Sequence, residues 1–292
     1  MTQSLTRSGS MLASIFNSKE ICFLSVLIIA TASACQSNKT DGSHKPKQTM
    51  GQANDTLRYE EKSIKELSPY FAERDGDIDT TYVEVSYPSF IDSGMNKIVN
   101  ENILLEGEEN LNQYIDNFLE GYGNFVEENI VEYPLAWYKV THIKVELNSP
   151  QIVMLKNFTY EFSGGAHGNS FELWNVYDVQ NYRKLPLNTF ISENKMKEFT
   201  KIAEKFFRAE EGLSDTSSLE NGYFFENDTF ALPANYGIST EGIVFHYNPY
   251  EIKPYAAGTT TITIPYEEIQ DCMTQTGKNY INKVKKYFNS IQ

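Results

Sequence analysis

Three strand-like segments follow one another closely between residues 137 and 178, and they constrain the fold more than any other feature of the chain. They read WYKVTHIKVELN, IVMLKNFTYEF and SFELWNVYD. In the second segment, apolar residues recur with the period of two that is typical of a half-buried strand: Ile152, Met154, Phe158, Tyr160 and Phe162. Residues 149–151 and a glycine-rich turn connect the segments, and such short connections join antiparallel strands. We therefore expect an antiparallel meander.

Apolar residues at helical spacing predict the helices that pack on this sheet. A first helix is predicted from Met95, Ile98, Val99 and Ile103, and a second from Leu111, Ile115, Phe118, Tyr122 and Phe125. Beyond the meander, the third predicted helix carries Met196, Phe199, Ile202, Ala203 and Phe206. Residues 279–292 predict a closing amphipathic helix. Further strands are predicted at 80–88, which Pro88 would close, and at 228–238, 242–252 and 258–269.

The order of helices followed by strands occurs twice along the chain. We therefore predict an α+β fold of antiparallel sheets packed with a few amphipathic helices. The two helix-then-sheet subdomains are expected to associate closely. They are predicted to cover residues 57–190, an N-terminal α+β domain that contains the glycine-rich turn, and residues 191–292, a C-terminal α+β partner domain.

The N-terminal 34 residues have the order of a secretory signal peptide, with Arg7 and Lys19 before an apolar run that ends in small residues. Cys35 follows directly and resembles the lipidated cysteine of a bacterial lipoprotein; an ordinary signal peptide cleaved nearby is the alternative. Residues 35–56 predict a polar, lipid-anchored stalk. The protein is therefore expected to be exported and tethered to a bacterial membrane, facing the periplasm or the cell exterior.

Charge and cysteine usage exclude several classes of function. The chain has 25 basic and 39 acidic residues and a net charge of −14, which disfavours nucleic acid and would suit a basic partner. Once Cys22 leaves with the signal peptide and Cys35 is the anchor, Cys272 has no partner for a disulfide. No histidine of the folded part lies within five residues of another. The sequence therefore predicts no metal site, no cofactor and no catalytic residue.

The turn FSGGAHGNS, residues 162–170, is the segment with the most chemical interest. Gly164, Gly165 and Gly168 are expected to allow a chain reversal and a close backbone approach. His167 would then either lock this turn by hydrogen bonds to main-chain carbonyls or contact a ligand. A phosphate cradle is disfavoured, since the turn leads into a strand and not into a helix N-terminus.

At this turn the sequence resembles a domain of unknown function whose defining feature is a Gly-Gly-Ala-His-Gly turn. The stretch GIVFHYNPYEIKPYAAGTTTITIPYEEI resembles its usual C-terminal partner domain, which has a Tyr-Glu-Ile-x-Pro-Tyr-Ala-x-Gly core. The two domains occur together in the extracellular region of RsiV-like lysozyme-sensing anti-sigma factors, in the non-catalytic region of PdaC-like peptidoglycan deacetylases, and alone in envelope lipoproteins. The resemblance covers about residues 78–275.

The resemblance implies a recognition module and supplies no catalytic residue. We expect a non-enzymatic envelope lipoprotein that binds a cell-wall polymer or a lysozyme-like basic protein. The candidate contacts are His167 and Asn169 on the turn, with Tyr250 and Tyr255 on the C-terminal motif. The alternatives are a hydrolase that acts on cell-wall glycans through paired carboxyl groups, and a scaffold in an envelope complex, which would expose a large apolar patch.

Overall fold

The computed structural model describes residues 6–7, 56–74, 77–128 and 135–291. Its helices and strands, in chain order, are β1 (Thr6–Arg7), β2 (Tyr59–Arg74), β3 (Asp77–Phe90), α1 (Ser93–Ile103), α2 (Leu111–Glu128), β4 (Tyr138–Asn148), β5 (Ile152–Phe162), β6 (Asn169–Asp178), β7 (Arg183–Lys184), α3 (Met196–Glu210), β8 (Tyr236–Ile238), β9 (Gly242–Tyr247), β10 (Thr260–Pro265) and α4 (Gln275–Ile291). Short 3-10 turns lie between several of them. The α+β class predicted from the sequence is confirmed.

The larger sheet contains the predicted meander. Among the described residues its strands follow the chain order from β1 to β7. All neighbours pair antiparallel except β3 and β4, which are parallel. A parallel pair needs a long crossover connection, and helices α1 and α2 form that crossover.

Helices α1 and α2 cover one face of the larger sheet. The Asp92 side chain caps α1 by accepting a hydrogen bond from the backbone N–H of Met95. The predicted apolar stripe of α1 is buried, and it packs with residues of α2 and of strands β3 to β6. The main members of this core are Val83, Val85, Met95, Ile98, Val99, Ile103, Tyr114, Ile115, Ile143 and Leu155.

The smaller sheet has the order β10-β9-β8 with antiparallel pairing. Strand β9 lies in its centre and is buried along its whole length, while α3 and α4 supply the apolar residues that pack with it. The second core includes Phe190, Phe199, Ala203, Phe207, Phe245, Tyr247, Ile262, Ile264, Ile281 and Val284. The third and closing helices predicted from the sequence are therefore confirmed.

Two asparagine side chains join the domains along the outer edge of β6. The Asn235 amide accepts a hydrogen bond from the backbone N–H of Trp174 (2.8 Å) and donates to the carbonyl of Glu172 (2.7 Å). Asn248 contacts the Glu172 backbone in the same two ways, at 2.6 and 3.0 Å. Unpaired backbone groups at a sheet edge need partners, and here the C-terminal domain provides them.

Some sequence predictions of strand limits are wrong. Residues 59–74 form the long strand β2, which the sequence analysis did not predict. Pro88 does not close β3, because the strand continues to Phe90 in its ladder with β2. Only Tyr82–Ser86 pair with β4, so Pro88 lies beyond that ladder, where its missing N–H costs little. Residues 228–235 form turns and irregular backbone, and the strand that starts at Gly242 ends at Tyr247.

Most of the predicted signal peptide, Cys35 and the stalk lie outside the described residues. Cys272 is buried and not in a disulfide. Within residues 56–74, 77–128 and 135–291, no helix has both the length and the apolar character that a membrane span requires.

Candidate functional site

The turn between β5 and β6 depends on glycine for its backbone conformation. Gly164 and Gly165 have φ values of +101° and +90°, which residues with a Cβ rarely adopt. Gly168 is needed for a different reason, because a Cβ there would lie 2.5 Å from the ring of Tyr160. The turn therefore reverses the chain and packs its last glycine directly against β5.

His167 is held in a defined orientation by this turn. Its Nδ1 lies 2.9 Å from the carbonyl oxygen of Gly168. Since a carbonyl oxygen only accepts, Nδ1 carries the proton and Nε2 is the acceptor in the neutral ring. Nε2 lies 3.4 Å from the hydroxyl of Tyr250, which donates to it. The turn thus exposes an imidazole with a set tautomer.

Two tyrosines of the C-terminal domain stack with this imidazole. The ring of Tyr255 lies 4.2 Å from that of His167 at an interplanar angle of 14°, and the ring of Tyr250 lies 6.5 Å away. The two tyrosine rings are 5.4 Å apart. We call His167, Tyr250 and Tyr255 the ring cluster. Asn169 is exposed at the first position of β6, beside the turn, with no side-chain hydrogen bond among the described residues.

The loop that carries Tyr250 and Tyr255 is anchored from below by buried neighbours. Ile252 is buried and its carbonyl accepts a hydrogen bond from Phe224 N. Lys253 is buried and pairs with Glu211 at 2.7 Å. With these two side chains buried, Tyr250 remains 53% exposed on the outer side of the loop, so the ring cluster is accessible to solvent.

A second aromatic surface lies on the face of the larger sheet opposite α1 and α2. Register places its residues on one face of β3, β4 and β5, and all of them are half-buried: Tyr82, Tyr138, His142, Phe158, Tyr160 and Phe162. Neighbouring rings are 5.1 Å apart for Tyr82 and Tyr138 and 6.0 Å apart for Tyr138 and Phe162. Through Tyr160, which packs on Gly168, this surface reaches the turn of the ring cluster.

Sequence reasoning identified the residues of the ring cluster but not this aromatic face. The alternation along 152–162 predicted one buried, apolar side of a half-buried strand, and this holds for Ile152 and Met154. Farther along β5 the prediction is wrong: the aromatic residues of that side are only half-buried, whereas Asn157 and Thr159 on the opposite side are buried, because α1 and α2 cover them. The sequence signal for this face was the recurrence of aromatic residues at every second position in neighbouring strands.

Among the described residues, two carboxyl groups have clearly perturbed pKa values, and both are lowered. Burial raises the pKa of Glu211, but hydrogen bonds from Lys253, Thr260 and Tyr223 lower it further than burial raises it. For Asp178, burial acts against hydrogen bonds from Tyr280, Asn181 and Gln180, and again the net change is downward. Both groups are therefore held as carboxylates by neighbouring donors.

His142 and His246 are packed within strands β4 and β9. His142 Nδ1 lies 2.5 Å from Ser86 Oγ. His246 is buried, stacks on Trp174 at 5.3 Å, and has Nδ1 2.8 Å from Thr261 Oγ1. Across the described ranges, no three His, Cys, Asp or Glu side chains are grouped closely enough to hold a metal ion.

Comparison with known families matches the two halves of the chain separately. Residues 75–170, which include the glycine-rich turn, match the family described as Deacetylase PdaC. Residues 188–267, which include Tyr250 and Tyr255, match a family described as Protein of unknown function (DUF3298). No curated protein matches the chain.

Solved structures share the fold of both domains together. A member of the DUF3298 family from Bacteroides fragilis NCTC 9343 is 22% identical, with a TM-score of 0.64 over 79% of this chain and 98% of that one. A DUF3298 family protein from Pseudomonas aeruginosa PAO1 is 20% identical, with a TM-score of 0.61 over 77% of this chain and 98% of that one. At these identities the likeness concerns the fold.

Proposed function

Because the chain combines a PdaC-type domain with a DUF3298 domain, as its two motifs predicted, we propose that it is a non-enzymatic recognition module of the bacterial cell envelope. One observation carries the proposal: the motif turn of the first domain and the motif loop of the second meet in the exposed ring cluster. His167 and Tyr250 are exposed and Tyr255 is half-buried, so the three rings form a surface and not a core. An exposed group of stacked rings is a feature of binding sites.

The ligand that fits this surface best is the glycan of a cell-wall polymer. A sugar ring has a face of C–H groups and a rim of hydroxyls, so an aromatic ring can pack on the face while polar groups bind the rim. The ring cluster supplies rings with a hydroxyl and an imidazole, and Asn169 supplies a free amide. The aromatic face beyond Tyr160 would extend the contact along a polymer.

A lysozyme-like basic protein is the second candidate, and the net charge of −14 favours it. Complementary charge increases the association rate of two proteins more than it increases affinity. This attraction weakens as ionic strength rises, whereas stacking on a neutral sugar does not. The salt dependence of binding therefore separates the two candidates.

The perturbed carboxyl groups support binding over glycan hydrolysis. A glycosidase uses a carboxylic acid whose raised pKa keeps it protonated as the general acid. Asp178 and Glu211 have lowered pKa values, and each has its oxygens occupied by donors of the protein. Their arrangement suits structural roles.

Tethering to a membrane is part of the proposal. Lipidation of Cys35 followed by the polar stalk 35–56 would hold the two domains near the bilayer without a spanning helix. Labelling cells with a radioactive fatty acid tests this: we expect the label on the wild-type protein and none on Cys35→Ser. A Cys35→Ser protein that keeps both the label and the membrane fraction would contradict it.

Isothermal titration calorimetry with peptidoglycan fragments, and separately with lysozyme, tests recognition. We expect Tyr250→Ala and His167→Ala to weaken glycan binding at least tenfold, about 1.4 kcal/mol. Tyr287→Ala, on helix α4, is the matched control and should bind as the wild type does. If neither peptidoglycan fragments nor lysozyme bind, or if Tyr250→Ala binds with wild-type affinity, the assignment of the ring cluster is refuted.

A further inference from the structure

A cavity of about 410 Å³ opens at the junction of the two domains and shares no residue with the ring cluster. The turn after β6 contributes Gln180 and Asn181, and α4 contributes Thr276, Asn279 and Lys283. The three α4 residues are spaced so that they share one helix face. Ligand sites commonly have volumes of roughly 300–1,000 Å³ and occur preferentially at domain interfaces.

Asp178 connects the two walls of this cavity. Its Oδ1 accepts hydrogen bonds from the backbone N–H groups of Gln180 (2.8 Å) and Asn181 (2.9 Å), and its Oδ2 accepts one from the hydroxyl of Tyr280 on α4. Asp178 is only 4% exposed. Since the protein supplies these partners itself, the cavity keeps its shape without a ligand, which lowers the cost of binding.

Several polar groups of the lining are free to bind. Among the described residues, the hydroxyl of Thr276, the ammonium of Lys283 and the side-chain amide of Gln180 have no hydrogen-bond or ion-pair partner. Asn279 accepts a hydrogen bond from Gln275 through Oδ1 and keeps its NH₂ group free. The cavity therefore offers unused donors and acceptors on both walls.

Gln151 adds an acceptor to the same cavity. It lies in the β4–β5 turn, its backbone carbonyl accepts a hydrogen bond from Val179 N at 3.0 Å, and its side chain lines the cavity. Its Oε1 is buried and has no hydrogen-bond partner among the described residues. Buried acceptors without donors are costly, so a rotation of the Gln151 side chain that brings Oε1 to a bound hydroxyl would supply the missing donor.

The balance of charges and polar groups defines the class of ligand. The positive charge of Lys283 is matched by the negative charge of Asp178, so an anion would meet a carboxylate. An apolar ligand would remove water from hydroxyl and amide groups without replacing their hydrogen bonds. Hydroxyls both donate and accept, and the partly exposed ring of Tyr280 offers a flat apolar surface. The volume equals about 14 waters at roughly 30 Å³ each, enough for one sugar ring.

We propose that this cavity binds one pyranose unit of a neutral carbohydrate, as a site separate from the ring cluster and independent of its proposed function. The test uses the ¹⁵N-labelled full-length chain in detergent, with glucose and N-acetylglucosamine as probes and inorganic phosphate and acetate as anionic probes. A sugar should shift the backbone amide signals of Gln180, Asn181 and Gly277 saturably. The anions should leave these signals unchanged.

Matched variants on α4 complete the test. We expect Asn279→Ala and Lys283→Met to weaken sugar binding at least fivefold with an unchanged melting temperature. The controls are Asn282→Ala and Lys286→Met, exposed residues of the same helix outside the cavity, which should bind as the wild type does. Tyr250→Ala should also leave these shifts unchanged, which separates this site from the ring cluster.

Three outcomes would overturn the proposal. In the first, phosphate or acetate shifts the cavity amides and the sugars do not, so that the ligand is an anion. In the second, no probe shifts them at millimolar concentration. In the third, sugars shift only amides of the turn 163–168, so that glycan recognition at the ring cluster stands and the cavity is not a sugar site.

Discussion

Substitution of Lys253 by methionine is expected to destabilise the C-terminal domain strongly. Lys253 belongs to the loop motif that carries Tyr250 and Tyr255, yet its side chain is only 9% exposed and its Nζ lies 2.7 Å from Glu211 Oε1. The Glu211 side chain is 14% exposed and also accepts hydrogen bonds from Thr260 and Tyr223. Lys253→Met would leave this carboxylate buried without its cation.

The expected cost follows from the burial of this pair. Removing one partner of a buried ion pair costs about 3–5 kcal/mol, because the remaining charge is left uncompensated. The hydroxyls of Thr260 and Tyr223 continue to donate in the variant, so we expect the lower end, ~3 kcal/mol. For a protein of this size each kcal/mol lowers Tm by about 2–4 °C, which predicts a fall of roughly 6–12 °C.

Urea unfolding and thermal unfolding followed by circular dichroism measure this loss. The double variant Glu211→Gln with Lys253→Met should regain much of the stability, because it removes the unpaired charge as well. The exposed Lys201→Met serves as the control. A loss below about 1 kcal/mol for Lys253→Met, or a double variant no more stable than the single one, would refute the reasoning.

The same pair has a defined dependence on pH. Because the pKa of Glu211 is lowered in the folded protein, the stability that its ionised form contributes is fully present above the ordinary glutamate pKa, about 4.3. This stability is lost as the pH falls through the lower pKa of the folded protein. The difference in stability between wild type and Lys253→Met should therefore narrow below about pH 4.3.

Two further predictions concern other sites. Burial lowers the pKa of His246 from its ordinary value of 6.5; Glu172 opposes this effect and Lys156 adds to it. The unfolded chain therefore binds the proton first, and the free energy of unfolding should fall as the pH falls below 6.5. In urea unfolding between pH 7 and pH 5, the stability of His246→Gln should depend less steeply on pH than that of the wild type. A wild-type slope in that variant would contradict the role of His246. Gly165 has φ +90°, so Gly165→Ala should cost about 1–2 kcal/mol in urea unfolding, and an unchanged midpoint would contradict the strain.

Local sequence patterns predicted the helices well because each pattern depends on near neighbours. Met95, Ile98, Val99 and Ile103 are buried on α1 as their spacing predicts, since a helix places them on one face. In the meander, the strands 138–148, 152–162 and 169–178 were each recognisable from period-two alternation or β-favouring composition. These signals need no knowledge of the partner element.

Strand β2 and the parallel pairing of β3 with β4 escaped sequence analysis for a physical reason. Strand β2 is mostly exposed and charged, so it lacks the apolar alternation that marks a strand. Its existence depends on the ladder with β3. Likewise, helices α1 and α2 pack on one face of β5 and leave the aromatic side half-exposed, which the sequence of β5 alone does not reveal.

The sequence by itself determined the α+β class, most of the helices, the meander and the glycine-dependent turn, because propensity and periodicity act over short distances. It also identified His167, Tyr250 and Tyr255 as separate candidates. Only the tertiary structure decided that these rings stack, since His167 and Tyr250 are 83 residues apart in the chain. The same is true of Lys253 and of the cavity beside Asp178, because contacts between distant residues depend on how the domains pack against each other.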